Sequence, residues 1–451
     1  MTVHSQLTRL GLFDARVPRY TSYPTAPQFG GGVGPELFAN WIRSVPAGSE
    51  ISLYLHVPFC RRLCWFCACR TQGTQSDTPV RAYAAMLQQE IVLLKAHLAP
   101  GVRLSRLHWG GGTPTMLSPD LTRELAEAIF AVVPMGEGAE FSVEIDPMEV
   151  DAARLDALAA AGMNRASIGV QDFDPQIQAA IGREQPFEVT QSVARMIRER
   201  GIQSLNADIL YGLPLQNQVR IADSVQKLLA LSPDRVALYG YAHVPWMSKR
   251  QQMIPSDAMP TPEERLDLFE VARRLFLADG YDEIGIDHFA RPSDGMAKAA
   301  RAGTLRRNFQ GYTDDTAPVL IGLGASSISR FPQGYAQNAS GTADHTAAIR
   351  AGRFSTHRGH VFSAEDKLRG RIIEALMSDF HVSRAEILQG YAVTEDRLAQ
   401  MFADAAAAFP DMLIVDDAGL TIPPHAKPLT RMIARMFDAY DHGKAKHSAA
   451  V

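Results

Sequence analysis

Between residues 50 and 290, short β-rich apolar runs alternate with stretches whose apolar positions recur at helical spacing. The runs Ile51–Val57, Leu104–Trp109, Phe141–Ile145, Arg165–Val170, Ser204–Leu210 and Arg235–Tyr241 read as strands, and a further extended run covers Glu283–His288. Between them, Ser118 followed by Pro119 predicts a helix start, with Leu121, Leu125 and Ile129 on one face. Helices over Asp151–Ala161 and Val189–Arg200 are stopped by Gly162 and Gly201. Alternation of this kind implies parallel strands joined by right-handed crossovers. Six such units form a full or partial (β/α) barrel or a doubly wound sheet, and periodicity does not choose between them. The fold class expected is α/β.

The polar residues of greatest chemical interest follow the strands directly. Four cysteines follow the first, Gly110-Gly111-Gly112 the second, Asp146-Pro147 the third and Gln171-Asp172 the fourth. In both architectures the carboxyl ends of parallel strands form the ligand face, so these residues are expected to converge on one mouth.

The flanks read differently. Residues 1–50 form an irregular arm, residues 51–350 the α/β unit and its extension, and residues 355–440 a mostly helical domain that opens with a capping-box pattern at Ser363–Asp366. Met412–Val415 and Leu420–Ile422 resemble a hairpin, and a last helix starts near Pro428, which together suggest a small winged-helix-like domain. Residues 441–451 read as a disordered tail.

Composition narrows the function. The 451 residues are 46% apolar and 21% charged, with 45 Lys plus Arg against 49 Asp plus Glu. A net charge of −4 argues against a general nucleic-acid or membrane-surface binder, while leaving room for a local basic pocket. No apolar run approaches the ~20 residues of a membrane span, and a cytoplasmic protein is expected. The only four cysteines, Cys60, Cys64, Cys67 and Cys69, lie within ten residues. Thiols so close together are poor staples for distant segments and better metal or cluster ligands. A zinc ion wrapped by one loop and a redox-active Cys64–Cys67 pair are the rival readings to an iron–sulfur cluster.

The spacing Cys60-x3-Cys64-x2-Cys67 resembles the signature of the radical S-adenosylmethionine superfamily. PRYTSYPTAPQF (18–29), YLHVPFCRRLCWFCACR (54–70), HWGGGTPT (108–115), EIDP (144–147), SIGVQDF (167–173) and GREQ (182–185) resemble one family in it, the oxygen-independent coproporphyrinogen III oxidases. NADILYGLP (206–214), YAHVP (241–245), DHFARP (287–292), RNFQGY (307–312) and YAQN (335–338) extend the likeness.

The resemblance implies a partial parallel (β/α)6 barrel carrying one [4Fe-4S] cluster on Cys60, Cys64 and Cys67. Cys69 matches an additional cysteine that is not a ligand. The fourth iron takes S-adenosylmethionine, whose reductive cleavage gives a 5′-deoxyadenosyl radical. Two S-adenosylmethionine sites are implied, the first lined by Tyr54, Gly111 and Glu144. Phe66, Gly112, Thr113, Gln171, Arg183, Asp208, Ala242 and Ile328 match positions around the second. The glycine run is expected to offer backbone groups at close approach to the ligand.

The implied reaction converts two propionates of coproporphyrinogen III to vinyl groups in haem biosynthesis. It needs an electron donor and an acceptor, and the resemblance leans to a monomer. Because the substrate carries four carboxylates, Arg19 and Arg291 are candidate contacts, although both could simply anchor loops. Tyr20 and Tyr23 read as packing residues that hold the arm to the barrel. The rival functions are a haem-utilising relative that keeps the cluster loop without decarboxylating this substrate, and a zinc-stabilised interaction protein.

Overall fold

The computed structural model of the chain describes residues 3–440 and residue 450. Its centre is a parallel run of strands β1 (Glu50–Val57), β2 (Arg103–Gly111), β3 (Met135–Ile145), β4 (Arg165–Gln171), β5 (Ser204–Tyr211) and β6 (Arg235–Gly240), each paired with the next. The register sets Tyr54 beside His108, His108 beside Ser142, and Asp208 beside Ala237.

Period-two alternation explains both faces of this sheet. Ile51, Leu53, Leu55 and Val57, then Leu107 and Trp109, then Phe141, Val143 and Ile145 are buried against the surrounding helices. Full burial of each such side chain is worth about 1.5–3 kcal/mol. The intervening Tyr54, His56, His108, Ser142, Glu144, Asn206 and Asp208 therefore point to the other side, into the barrel.

The helices start where their caps direct. Ser118 Oγ accepts from Leu121 N at 3.4 Å to open Pro119–Phe130, and Asp151 accepts from Arg154 N at 2.8 Å to open Ala152–Ala160. Ala152–Ala160 and Phe187–Glu199 each end two residues before the expected glycine.

The six expected parallel strands are present, and a further strand of the extension, Leu320–Leu323, adds parallel to the free edge of β1. Three expectations are corrected. Antiparallel Ile328–Phe331, Gly334–Asn338 and Thr356–Val361 extend the sheet, so the chain beyond 355 adds a strand before turning helical. The run Glu283–His288 is not one strand: Asp282–Ile284 and His288–Ala290 pair antiparallel across a turn containing Gly285, and the latter flanks β6. Among the described residues the two outermost strands do not pair with each other, which leaves the barrel partial.

The third correction concerns the arm, which is neither irregular nor one unit. Helix Pro35–Arg43 buries Phe38, Trp41 and Ile42 in the barrel core. Leu7, Leu12, Phe13, Tyr20 and Tyr23 instead join Ile372, Leu376, Phe402 and Phe437 in the core of the C-terminal domain. Tyr20 OH donates to Asp438 at 2.9 Å and Tyr23 OH accepts from Ala439 N at 3.0 Å, so both tyrosines pack the arm, but into the core of this domain rather than the barrel core.

The elements of the domain are compatible with the winged-helix-like expectation. Helices Ala364–Asp379, Arg384–Gly390 and Glu395–Ala408 accompany a small sheet of His381–Ser383, Gly419–Thr421 and Ile414–Val415. The Ser363–Asp366 capping box is formed. The last helix, Thr430–Arg435, follows a 3-10 turn from Pro424. Of the expected tail, all but Ala450 lies outside the described residues. No described helix is long and apolar enough to cross a membrane.

Candidate active site at the barrel mouth

The loop after β1 carries all four cysteines to the carboxyl ends of the strands. Two neighbouring segments clamp it. Trp65 N donates to Ile181 O at 2.9 Å, and the Trp65 ring lies against Gly182. From the segment after β6, Gln251 Nε2 donates to Phe66 O at 2.8 Å and Ser248 Oγ to Cys67 O at 3.2 Å. Cys60, Cys64 and Cys67 are half-buried and Cys69 is exposed.

Donors gather around the sulfurs. Arg183 Nη1 reaches Cys64 Sγ at 3.5 Å, and Cys69 N donates to Cys67 Sγ at 3.4 Å. The Cys69 thiol bonds to Cys67 and, with Arg250 and Arg183 nearby, brings the Cys67 thiol down to about 6 despite burial. Burial pushes Cys60 up to about 11, opposed by a hydrogen bond with Thr113. A loop of thiols with guanidinium and N–H donors at the sulfurs suits anionic thiolate ligands, and these residues fit an iron–sulfur cluster. Among the described residues, no three His, Cys, Asp or Glu side chains converge closely enough to hold a single metal ion.

Next to this loop stands a polar array inside the barrel. Tyr54 OH is 3.0 Å from His56 Nδ1, and the Tyr54 ring stacks on His108 at 5.8 Å between centroids. His108 bridges Ser142 Oγ at 2.6 Å and Glu144 Oε1 at 3.3 Å. Glu144 Oε2 accepts from Gly111 N at 3.0 Å. Burial alone would raise the Glu144 carboxyl, but the bond from His108 and the Gly111 N–H hold it below the ordinary carboxylate value.

The glycine run differs from expectation. The N–H groups of Gly111, Gly112 and Thr113 are already donated to Glu144, Val57 O and Phe59 O, so they are not open to a ligand. What the glycines supply is closeness. Gly111 has φ +115° and a Cβ there would lie 2.4 Å from the His56 ring, while one on Gly112 would lie 2.6 Å from Phe59 O.

The other predicted residues gather on the same side, with exceptions. Arg183 donates to Gly169 O at 3.0 Å, lies 3.4 Å from Asp146, and keeps its Nε buried without a hydrogen-bond partner. Gln171 sits at φ +71° where the β4–β5 register shifts, a strained backbone of the kind found at functional sites. Asp208 accepts from Asn206 at 2.9 Å within the barrel. The Ala242 carbonyl accepts from Gln251, whereas the Phe66 ring packs into an apolar cluster. Ile328 opens its strand two residues after Ser326, whose hydroxyl is 3.5 Å from His56 Nε2.

Arg19 reaches the mouth, donating to Gly240 O at 2.6 Å. Arg291 does not. Its backbone binds Asp234 O before β6 begins, its guanidinium binds Asp279, and it stacks over Tyr281 at 3.9 Å; it anchors a loop at the opposite end of the strand.

Sequence reasoning missed His56, His108, Ser142 and Asn206. The signal was available: each is a polar residue at an inward position of a strand whose alternate positions are apolar.

Three comparisons bear on this site. The radical SAM superfamily profile matches residues 54–228. An oxygen-independent coproporphyrinogen III oxidase of Paracoccus denitrificans (strain Pd 1222) is 68% identical over the full length of both chains. One of Escherichia coli (strain K12) is 36% identical, with 95% of this chain and 94% of that one covered. The solved structure of the E. coli coproporphyrinogen III oxidase, described as a radical SAM enzyme, superposes with a TM-score of 0.89 at 34% identity, covering 95% of this chain and all of the other.

The chain belongs to the oxygen-independent coproporphyrinogen III oxidases.

As a member of that family it is an oxidoreductase of the radical SAM type, and family membership decides among the readings of the cysteines in favour of a [4Fe-4S] cluster used with S-adenosylmethionine.

One charge in this oxidase's barrel opposes folding. Burial pushes Asp208 up to about 6, with the Glu144 carboxylate adding to it and the Asn206 bond opposing it. A carboxyl whose folded value lies above its unfolded 3.8 costs stability once ionised, so stability falls as pH rises through the window from about 4 to about 6. Asp208→Asn is therefore expected to stabilise the chain at pH 8 by about 1–3 kcal/mol and to have no such effect at pH 3.5. Thermal unfolding at the two pH values checks this; a variant less stable than wild type at pH 8 contradicts it.

Proposed function

We propose that this oxidase converts coproporphyrinogen III to protoporphyrinogen IX in the cytoplasm without oxygen, as a monomer, by oxidative decarboxylation of two propionates to vinyl groups. The observation that carries the residue assignment is the cysteine loop at the barrel mouth, with Arg183 and the Cys69 N–H at its sulfurs. We assign Cys60, Cys64 and Cys67 as the cluster ligands. When bound, the cluster and S-adenosylmethionine supply the one-electron chemistry that removes a hydrogen atom from a propionate.

The chain's own groups bind and orient. Glu144, held ionised by His108 and Gly111, accepts from ammonium or ribose hydroxyl groups at a first S-adenosylmethionine site with Tyr54. Arg183, with a donor still open, pairs with a carboxylate at a second site that includes Phe66, Gly112, Thr113, Gln171, Asp208, Ala242 and Ile328. Two sites match two decarboxylations. Each propionate loses a hydrogen atom, CO2 and one electron, so a reductant must serve the cluster and an external acceptor must take the electron from the substrate.

Anaerobic incubation of cluster-loaded protein with coproporphyrinogen III, S-adenosylmethionine, a reductant for the cluster and a one-electron acceptor for the substrate tests the reaction. Protoporphyrinogen IX and two equivalents each of CO2 and 5′-deoxyadenosine are expected per substrate. Unchanged coproporphyrinogen alongside active S-adenosylmethionine cleavage would overturn it.

A further inference from the structure

Between the arm, the carboxyl ends of β5 and β6 and the C-terminal domain lies a cavity of about 460 Å³. Its wall carries six arginine and lysine side chains. Two of them, Arg273 and Lys427, are paired with Glu270 and Glu283. The remaining acid, Asp287, is engaged by His288 Nδ1 at 2.7 Å and also attracts Arg307 and Arg19, so three acids face six cations. Arg265 and Arg431, donating to carbonyls of Tyr241, Val17 and Pro18, add positive potential to the wall.

Arg307 keeps hydrogen-bond donors open there. Its Nη2 donates to Arg19 O at 3.3 Å and its guanidinium lies over the Tyr312 ring at 4.6 Å, but Nε and Nη1 are buried with no hydrogen-bond partner. Arg19, on the same wall, is held through Nη2 to Gly240. A buried guanidinium with open donors beside further cations calls for an anion, and its planar fork matches a carboxylate. Tyr239 lines both this cavity and the barrel interior that contains Glu144 and Asp208, so a molecule anchored here extends toward the reacting face.

We propose that this cavity holds the propionate carboxylates that the substrate keeps, with Arg307 and Arg19 as their principal partners. The proposal rests on the reaction given above and adds which end of the substrate lies where. Two of four propionates survive, on neighbouring rings. Pairing with guanidinium stabilises a carboxylate against departure as neutral CO2, so a clamp of this strength suits the carboxylates that stay rather than those that leave.

Porphyrin binding to the cluster-loaded enzyme, followed by fluorescence, tests it. The probes are coproporphyrin III, with four propionates, and protoporphyrin IX, which has only the two retained ones. Arg307→Gln and Arg19→Gln are each expected to weaken both probes by the same factor, about tenfold to a hundredfold, with Arg307→Lys between. Should Arg307→Gln fail to fold, by circular dichroism, the half-buried Arg19→Gln and the conservative Arg307→Lys decide. Undiminished affinity for both probes overturns the proposal. So does a loss confined to coproporphyrin III, which would place the reacting propionates here instead. Failure of the underlying reaction is read separately, from iron, sulfide and product analysis of the wild-type protein.

Discussion

Cys64→Ser is expected to yield a folded chain that retains no [4Fe-4S] cluster and does not cleave S-adenosylmethionine, and Cys60→Ser and Cys67→Ser are expected to do the same. A hydroxyl does not deprotonate to a soft ligand under the conditions that generate a thiolate, so each replacement removes one of the three proposed anchors. Folding should survive, because the loop is held by contacts that do not involve sulfur, from Trp65 to Ile181 and from Gln251 to Phe66. Iron and sulfide analysis after anaerobic reconstitution, with circular dichroism for the fold, checks both halves. A variant that cleaves S-adenosylmethionine at the wild-type rate removes that cysteine from the ligand set.

Cys69 is the internal control for this assignment. Its backbone N–H and thiol both serve Cys67 Sγ, which makes it a support for a ligand. Cys69→Ser keeps a donor at that position and should assemble a full complement of iron. Loss of iron in this variant alone would move Cys69 from support to ligand.

The strands that carry this chemistry were legible because two demands coincide in them. A strand buried against helices on one face and facing a barrel interior on the other must alternate, and β1 through β5 do so over the residues that line the site. The strand Leu320–Leu323 was not legible as part of the same sheet. It is four residues of continuous burial, and its pairing with β1 crosses more than 260 positions, a tertiary contact with no local signature.

The arm was misread for a related reason. Leu7, Leu12 and Phe13 are spaced for a partner that the chain supplies mostly after residue 360. Arg291 shows the limit of reading charge without geometry: a cation within a motif proved to be a loop anchor, while Arg307, sixteen residues further on and in contact with Arg19 O, faces the mouth. The glycine run shows the same limit for backbone. Its spacing was right, but whether an N–H is open depends on carbonyls such as Val57 and Phe59 that only the fold brings near.

Glu144→Gln is expected to weaken S-adenosylmethionine binding by about tenfold to a hundredfold while leaving cluster content unchanged. The carboxylate accepts from Gly111 N with one oxygen and from His108 with the other, and both bonds fix its orientation at the barrel mouth. An amide keeps the shape but has a single acceptor and no charge, so it gives up a charge-assisted bond to the ligand and sets an N–H donor against either Gly111 or His108. Since His108 and Gly111 hold the folded carboxyl below its ordinary 4.5, the wild-type group is ionised throughout the neutral range, and the contribution is lost only as pH falls through that lowered value. The wild-type affinity should therefore be flat in pH between about 6 and 8 as far as Glu144 is concerned. Ser142→Ala separates position from charge: it frees His108 Nδ1 but leaves the carboxylate intact, so its effect should be several-fold smaller. Equilibrium binding of S-adenosylmethionine to cluster-loaded protein measures all three forms, and equal losses in Glu144→Gln and Ser142→Ala would show that the array acts by positioning alone, with no bond from the carboxylate to the ligand.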